Sequence, residues 1–297
     1  MRRLATAVCT IPALIGWLTA CTHVAPPEGN APGQAQEQQS KAVDLLGRVK
    51  QHYIEINPTS QRITQQTRTV VHELGQADIE TIATLVTLQT QNHERTEMTK
   101  SEVIVHPKEP GAEPKHLPGG KLVTVRNGSM ILVNYEGPTP GLDGKPVVIS
   151  YKVDESELDP KLASLYGGDL ATLKLFDMMS RGNLQFREGA HNGEPVFIIE
   201  TTRPLAMTPD TESNIELWIG AKSLLVEHMK MEFDQKVTVG KPNVVHGEYE
   251  GDFTYEMNVS EPTLRNAFEL TLHPNAEDFS DEVQNSLKAN PAEATPQ

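Results

Sequence analysis

Cysteine is nearly absent, with only Cys9 and Cys21 in 297 residues. At most one disulfide can form, so the folded body must be held together by burial rather than by cross-links. Cations are the minority charge, 26 Lys and Arg against 40 Asp and Glu, for a formal net charge of −14. This balance excludes the clustered positive footprint of a nucleic-acid binder and argues against electrostatic adhesion to anionic lipid headgroups. Catalytic signatures are missing too. The chain has no G-x-S-x-G turn, H-E-x-x-H helix, phosphate-binding glycine loop or paired-cysteine metal motif. The ten histidines are scattered, none pairing with another at ligand spacing along the chain, and they read as surface or strand-face residues. No catalytic residue, metal or cofactor is expected.

Long apolar runs are absent except for one. Arg2 and Arg3 precede an apolar stretch over residues 4–18, and Leu18, Thr19, Ala20 and Cys21 follow it. A basic start, a short oily centre and small residues before the cut mark a secretory signal. The run is too short for a membrane span and contains Pro12 and Gly16. The Leu-Thr-Ala-Cys quartet resembles the bacterial lipobox. Residues 1–20 are therefore expected to be removed and Cys21 to carry lipid. Cys9 lies in the removed segment, so no disulfide remains. Thr22 is not the acidic residue that retains some lipoproteins in the inner membrane. The expected location is the cell envelope, lipid-anchored, in the outer membrane facing the periplasm of a Gram-negative cell. Residues 21–40 are rich in Pro, Gly, Ala and Gln and read as a flexible tether. The folded body is expected over 41–280, and 281–297 as a polar tail, a fraying helix or disorder.

What is abundant is alternation. The stretch 215–233 reads as a hairpin turning at Gly220, Ala221, Lys222 and Ser223. Ile215, Leu217 and Ile219 share one strand face. Leu225, Met229, Met231 and Phe233 share the matching face of the next strand, with only Glu227 out of keeping. Glu227 is read as a rim residue that water reaches. Residues 67–74, 80–90, 95–106, 121–126, 129–135 and 147–153 also read as strands. So do 184–187, 194–202, 245–260 and 268–272. Asn127-Gly128 and Asn192-Gly193 are turn signals, the former of type I′. Residues 107–120 read as a long loop.

Helical spacing occurs three times. Val43, Leu46, Val49, Tyr53 and Ile56 predict a helix over 41–56. Leu158, Leu162 and Leu165 predict one over 155–166, and Leu173, Phe176 and Met179 another over 169–181. Gly167-Gly168 separates the last two and reads as a hinge rather than an anion cradle. One helix, about five strands, two inserted helices and about five more strands imply an α+β fold. The expected form is an open, half-closed antiparallel barrel of ten to eleven strands, with helices over its mouth. The expected lining of an apolar cavity is Ile149 and Tyr151, Leu162 and Leu165, Leu173, Phe176 and Met179 from the first half of the body. From the second half come Phe197, Ile199, Leu217 and Ile219, Met229, Met231 and Phe233, then Tyr255 and Met257.

Three phrases carry a family resemblance. Residues 125–135 (VRNGSMILVNY) look like a D/N-G-x-x-hydrophobic-Y strand pair. Ile215, Glu216, Leu217, Trp218 and Ile219, followed by Leu224, Leu225 and Val226, look like an L-W-I-D-x-x-x-G-L-P hairpin, with Gly220 in place of the acid and no proline. Phe268 to Pro274 look like a closing F-x-F-x-P-P strand. Together they resemble the LolA/LolB-like superfamily of lipoprotein and lipid carriers, across residues 41–280. The resemblance implies a helix-covered half-barrel with an apolar cavity for acyl chains, and a non-enzymatic carrier of lipids or lipoproteins. An envelope protein is a further expected partner, and the alternative reading is a lipid- or lipoprotein-sensing or scaffolding protein of the same fold that acts through such a partner without lipid transfer.

Overall fold

The computed structural model describes residues 32–56, 60–72, 77–90, 93–138, 146–157, 168–208, 211–237 and 243–288. Cys21, Leu162 and Leu165 lie outside them, as do most of the helix predicted over 155–166 and residues 289–297 of the tail. Helix α1 is Pro32–Ile56. It begins well before Lys41, so residues 32–40 are helix where a tether was expected. Gln39 explains why, because its side chain donates to Gly182 O at 2.9 Å and accepts from Leu184 N at 2.5 Å.

Seven strands follow: β1 (Ser60–His72), β2 (Asp78–Thr90), β3 (His93–His106), β4 (Lys115–Pro118), β5 (Lys121–Asn127), β6 (Met130–Pro138) and β7 (Pro146–Asp154). After a single 3-10 turn at Glu155–Glu157 comes α2 (Gly168–Ser180). The second series is β8 (Leu184–His191), β9 (Glu194–Thr201), β10 (Leu205–Thr208), β11 (Thr211–Gly220), β12 (Val226–Val237) and β13 (Asn243–Met257). A short α3 (Glu261–Leu264), the two-residue β14 (Glu277–Asp278) and α4 (Ser280–Lys288) complete the chain.

All fourteen strands belong to one sheet, ordered β14-β7-β6-β5-β3-β2-β1-β13-β12-β11-β9-β8, with β10 beside β11 and β4 beside β3. Every pairing is antiparallel except β14 with β7. The end strands do not pair with each other, so the sheet is open. It holds more strands than the ten or eleven expected, because β4, β10 and β14 are too short to alternate visibly. Asn192 and Gly193 both have positive φ, the type I′ pattern. At the other turn the register centres on Gly128 and Ser129, and only Gly128 has positive φ. That turn is therefore of type II′ form and not I′.

Helices α1, α2 and α4 lie on one face, here the inner face. Ala42, Leu45, Leu46 and Val49 form an apolar stripe on α1 at helical spacing, buried with Phe176 and Met179 of α2 against β8 to β12. A second cluster joins Leu122 of β5, Ile131, Val133 and Tyr135 of β6, and Ile149, Tyr151 and Val153 of β7 to Phe279 and to Val283 of α4. The predicted strand over 268–272 is a strap instead. It crosses the outer face, where side chains from four strands hold its backbone. Arg95 donates to Ala267 O, Asn127 to Phe268 O and Asn134 to Thr271 O, while Ser150 Oγ accepts from His273 N. The chain then rounds the sheet edge as β14 and returns on the inner face as α4. The 281–288 part of the expected tail is thus an ordered helix. Ser280 Oγ accepts from Lys152 N, and Gln284 bonds both N and O of Asp154, which satisfies the edge of β7.

Candidate ligand-binding face

Side chains alternate along each strand, so the register of neighbouring strands decides what the inner face presents. Between the two helix-covered clusters lie β13, β1, β2 and β3. One row crosses them: Phe253, Gln65, Leu85, Met98, Leu122, Tyr135 and Ile149. It starts at a residue packed on the first cluster and ends inside the second. Phe253, Gln65, Leu85 and Met98 all keep some exposed surface. A parallel row, Tyr255, Ile63, Thr87, Thr96, Thr124, Val133 and Tyr151, is richer in threonine. Four strand spacings span about 19 Å, enough for an extended acyl chain.

Aromatic rings lie low on this face because glycines leave room beneath them. A Cβ on Gly247 would meet the Phe233 ring at 2.2 Å, and one on Gly251 would meet Tyr249 Oη at 2.5 Å. At the α1 end, Tyr53 and Tyr255 hydroxyls are 3.1 Å apart, and Tyr53 Oη accepts from Val226 N. Burial pushes the Tyr255 phenol well above its ordinary range, and Tyr53 adds to the shift. Tyr249 is also raised, first by burial and then by the Asp252 charge. Both phenols are neutral at physiological pH, which suits an apolar surface.

The expected lining residues divide into three groups. Phe176, Met179, Ile199, Leu217 and Ile219 are no more than 1% exposed and pack on one another and on α1. Leu173, Phe197, Met229 and Met231 sit at the margin of that cluster with surface to spare, and Met257 is also partly exposed. Ile149 and Tyr151 belong to the second cluster, several strands away. Phe233 is buried over Gly247. At the hairpin of β11 and β12 Ile219 faces Val226, with a register shift next to Trp218. Val226 thereby takes the inward place read for Leu225. Glu227 falls in the irregularity, where it accepts a bond from Ser223 and lies near enough to Tyr255 for its charge to add to that phenol's shift.

No family model matches the chain, and no curated protein matches it. Two solved structures are similar to it. One is a DUF1329 family protein from Desulfovibrio piger, 12% identical over 78% of this chain and 97% of that one, with a TM-score of 0.26. The other is a LolA superfamily protein from Nitrosomonas europaea, 14% identical over 78% and 96%, with a TM-score of 0.21. The second carries the family name that the sequence phrases resemble. Superpositions this loose carry no weight in the functional argument, which rests on the sheet.

Leu85, Met98 and Phe253 were not visible as candidates in the sequence. Met98 lies between Glu97 and Thr99, Phe253 between Asp252 and Thr254, and Leu85 between Thr84 and Val86, so no local pattern joins them and only the register aligns them.

Proposed function

We propose that the protein is a non-enzymatic, lipid-anchored envelope protein that holds acyl chains of lipids or lipoproteins against the inner face of a half-open barrel, and carries or passes them on. The observation that supports this reading is the row from Phe253 to Ile149, apolar but for Gln65, which joins two helix-covered clusters while its middle stays partly exposed. Met and Leu accept hydrocarbon without directional demands, and Met adapts to different chain lengths. Each buried CH₂ contributes about 0.8 kcal/mol, so one long chain yields roughly 10 kcal/mol before ordering costs. The anchor is Cys21, in the outer membrane facing the periplasm.

The complete burial of Leu217, Ile219, Phe176 and Met179 favours a second reading. In it the same fold is a sensor or scaffold, with a dry interior and a protein partner. Solvent extraction of the purified protein followed by mass spectrometry separates the two. Co-purifying fatty-acyl lipid, in an amount that falls when Met231 is replaced by Glu, supports the carrier. Protein free of lipid that also fails to take up a fluorescent fatty acid overturns it.

A further inference from the structure

The outer face carries an arrangement that does not depend on acyl binding. Ile198 of β9, Trp218 of β11, His228 of β12 and Asp252 of β13 stand in one cross-strand row. His228 is 4% exposed, and its Nδ1 lies 2.8 Å from Asp252 Oδ1. His191 is not a member of that row. It ends β8, beside the Asn192-Gly193 turn, and β9 and β11 separate its strand from β12. The twist of the hairpin brings its tip over Trp218. The two rings meet edge to face with centroids 5.4 Å apart. Gly189 permits the approach, since a Cβ there would meet Ile198 Cδ1 at 2.7 Å. His191 Nε2 then lies 3.2 Å from the same Asp252 Oδ1. One ligand atom from each of the three residues lies within 4.8 Å of the other two.

Two further features distinguish this group from an ordinary histidine–carboxylate pair. His228 Nε2 is buried and makes no hydrogen bond, although Glu250 Oε1 is only 3.4 Å away. A metal-ligating histidine donates its second ring N–H to an outer carboxylate, and Glu250 is the carboxylate placed to take that role. Zinc–nitrogen bonds of about 2.0–2.1 Å give tetrahedral edges of roughly 3.3 Å. The His191–Asp252 separation of 3.2 Å matches that, the His228–Asp252 separation of 2.8 Å must open to reach it, and the two histidine nitrogens lie within 4.8 Å of each other.

We propose that His191, His228 and Asp252 bind a divalent transition metal, with Zn²⁺ the ion whose donor preference they meet. Two imidazoles with a single carboxylate favour such an ion over Ca²⁺ or Mg²⁺, which take oxygen ligands. The Asp252 side chain is about half exposed, and water reaches the fourth position from that side. Glu250 is the outer partner of His228. Three ligands on β8, β12 and β13 make the ion a staple, tying the tip of the β8–β9 hairpin to the middle of the sheet. The scatter of these histidines along the chain hid the group, because only the sheet brings them together.

The test titrates the purified full chain, stripped with chelator, with ZnCl₂ against a competing indicator at neutral pH. One Zn²⁺ per chain is expected, with a rise in melting temperature. His191→Ala, at a largely covered side chain on the hairpin tip, and Asp252→Asn, at a half-exposed one, should each weaken binding at least about tenfold and abolish the rise. His246→Ala, on the same strand but paired with Asp234, should change neither. Circular dichroism checks that each variant is folded, and Co²⁺ added to the unaltered chain should give the visible spectrum of a tetrahedral site. Absence of binding to the unaltered chain overturns the proposal. Zinc that stays bound in both folded variants overturns it as well, since the ion then sits elsewhere.

Discussion

Leu217 and Met229 face each other across β11 and β12, yet only the methionine keeps free surface. Leu217 is wholly enclosed by α1, α2 and neighbouring strands, so Leu217→Ala should cost about 2–5 kcal/mol of stability, read from denaturant melts. Met231→Glu should instead shift the melt by a few degrees while reducing fatty-acid uptake severalfold, because its charge can turn to solvent but spoils an apolar surface. Equal unfolding by both substitutions would assign Met231 to a dry core. Glu80 is a different kind of residue, a buried carboxylate that accepts from Arg68 Nε at 2.6 Å and lies 2.7 Å from His106 Nε2. Burial raises its pKa, but the bonds to Arg68 and His106 more than offset that and hold it below the ordinary range. A lowered folded pKa contributes stability above the unfolded value, and that stability is lost as pH falls through the folded one. Glu80→Gln should therefore cost roughly 1–2 kcal/mol near neutral pH. The gap to the parent should shrink below about pH 4.3. Melts across that range measure both, and a gap that stays constant with pH would contradict the assignment.

At the scale of elements, α2 belongs to the hinged helices expected over the barrel mouth, a place where a lid would sit, and its packing limits how it could move. Phe176 and Met179 are buried in the core shared with α1, and Lys50 Nζ reaches both oxygens of Asp177 at 2.6 and 2.8 Å. That ion pair is partly exposed and contributes about 0.2–1 kcal/mol, so the core holds the helix more than the charge does. Backbone amides over 176–180 should thus exchange slowly with and without lipid, in hydrogen-exchange mass spectrometry. Fast exchange there in the lipid-free protein, slowed by lipid, would restore the lid. The stretch from 281 was read as a fraying helix or a disordered tail, and over 281–288 it is a helix, α4, that begins at a cap. Asp278 Oδ1 accepts from Ser280 N and Oγ, and these bonds hold its carboxyl below the usual range.

At the scale of the whole molecule, a sheet of fourteen strands has two edges to protect. β14 and α4 cover one by bonding the backbone of β7. At the other, β8 carries Arg187, bonded to Glu216 at 2.5 Å, and exposed Glu188, charges that discourage pairing with another chain. No helix among the described residues is long and apolar enough to cross a membrane. The attachment proposed for this protein is the lipid on Cys21, at the lipobox-like residues 18–21. Metabolic labelling with a fatty acid should mark the parent protein and not Cys21→Ser. Label on the variant would remove the anchor from its assigned residue.

Sequence alone determined the kind and order of most of the longer elements. Alternation and turn residues are local, and they marked the hairpin of β11 and β12, the turn at Asn192-Gly193 and the stripe on α1. It also supplied the apolar half of the inner face wherever that face was written as a run, as in Ile215, Leu217 and Ile219. Tertiary structure decided what pairs with what. Gln39 turns a tether-like composition into helix because Gly182 and Leu184 are there to meet it. Residues 268–272 become a strap because four strands offer side chains where no strand edge is free. Leu85, Met98 and Phe253 form a surface, and His191, His228 and Asp252 a cluster, only through register and twist. Those are long-range consequences of which strands pair, and no window of sequence contains them.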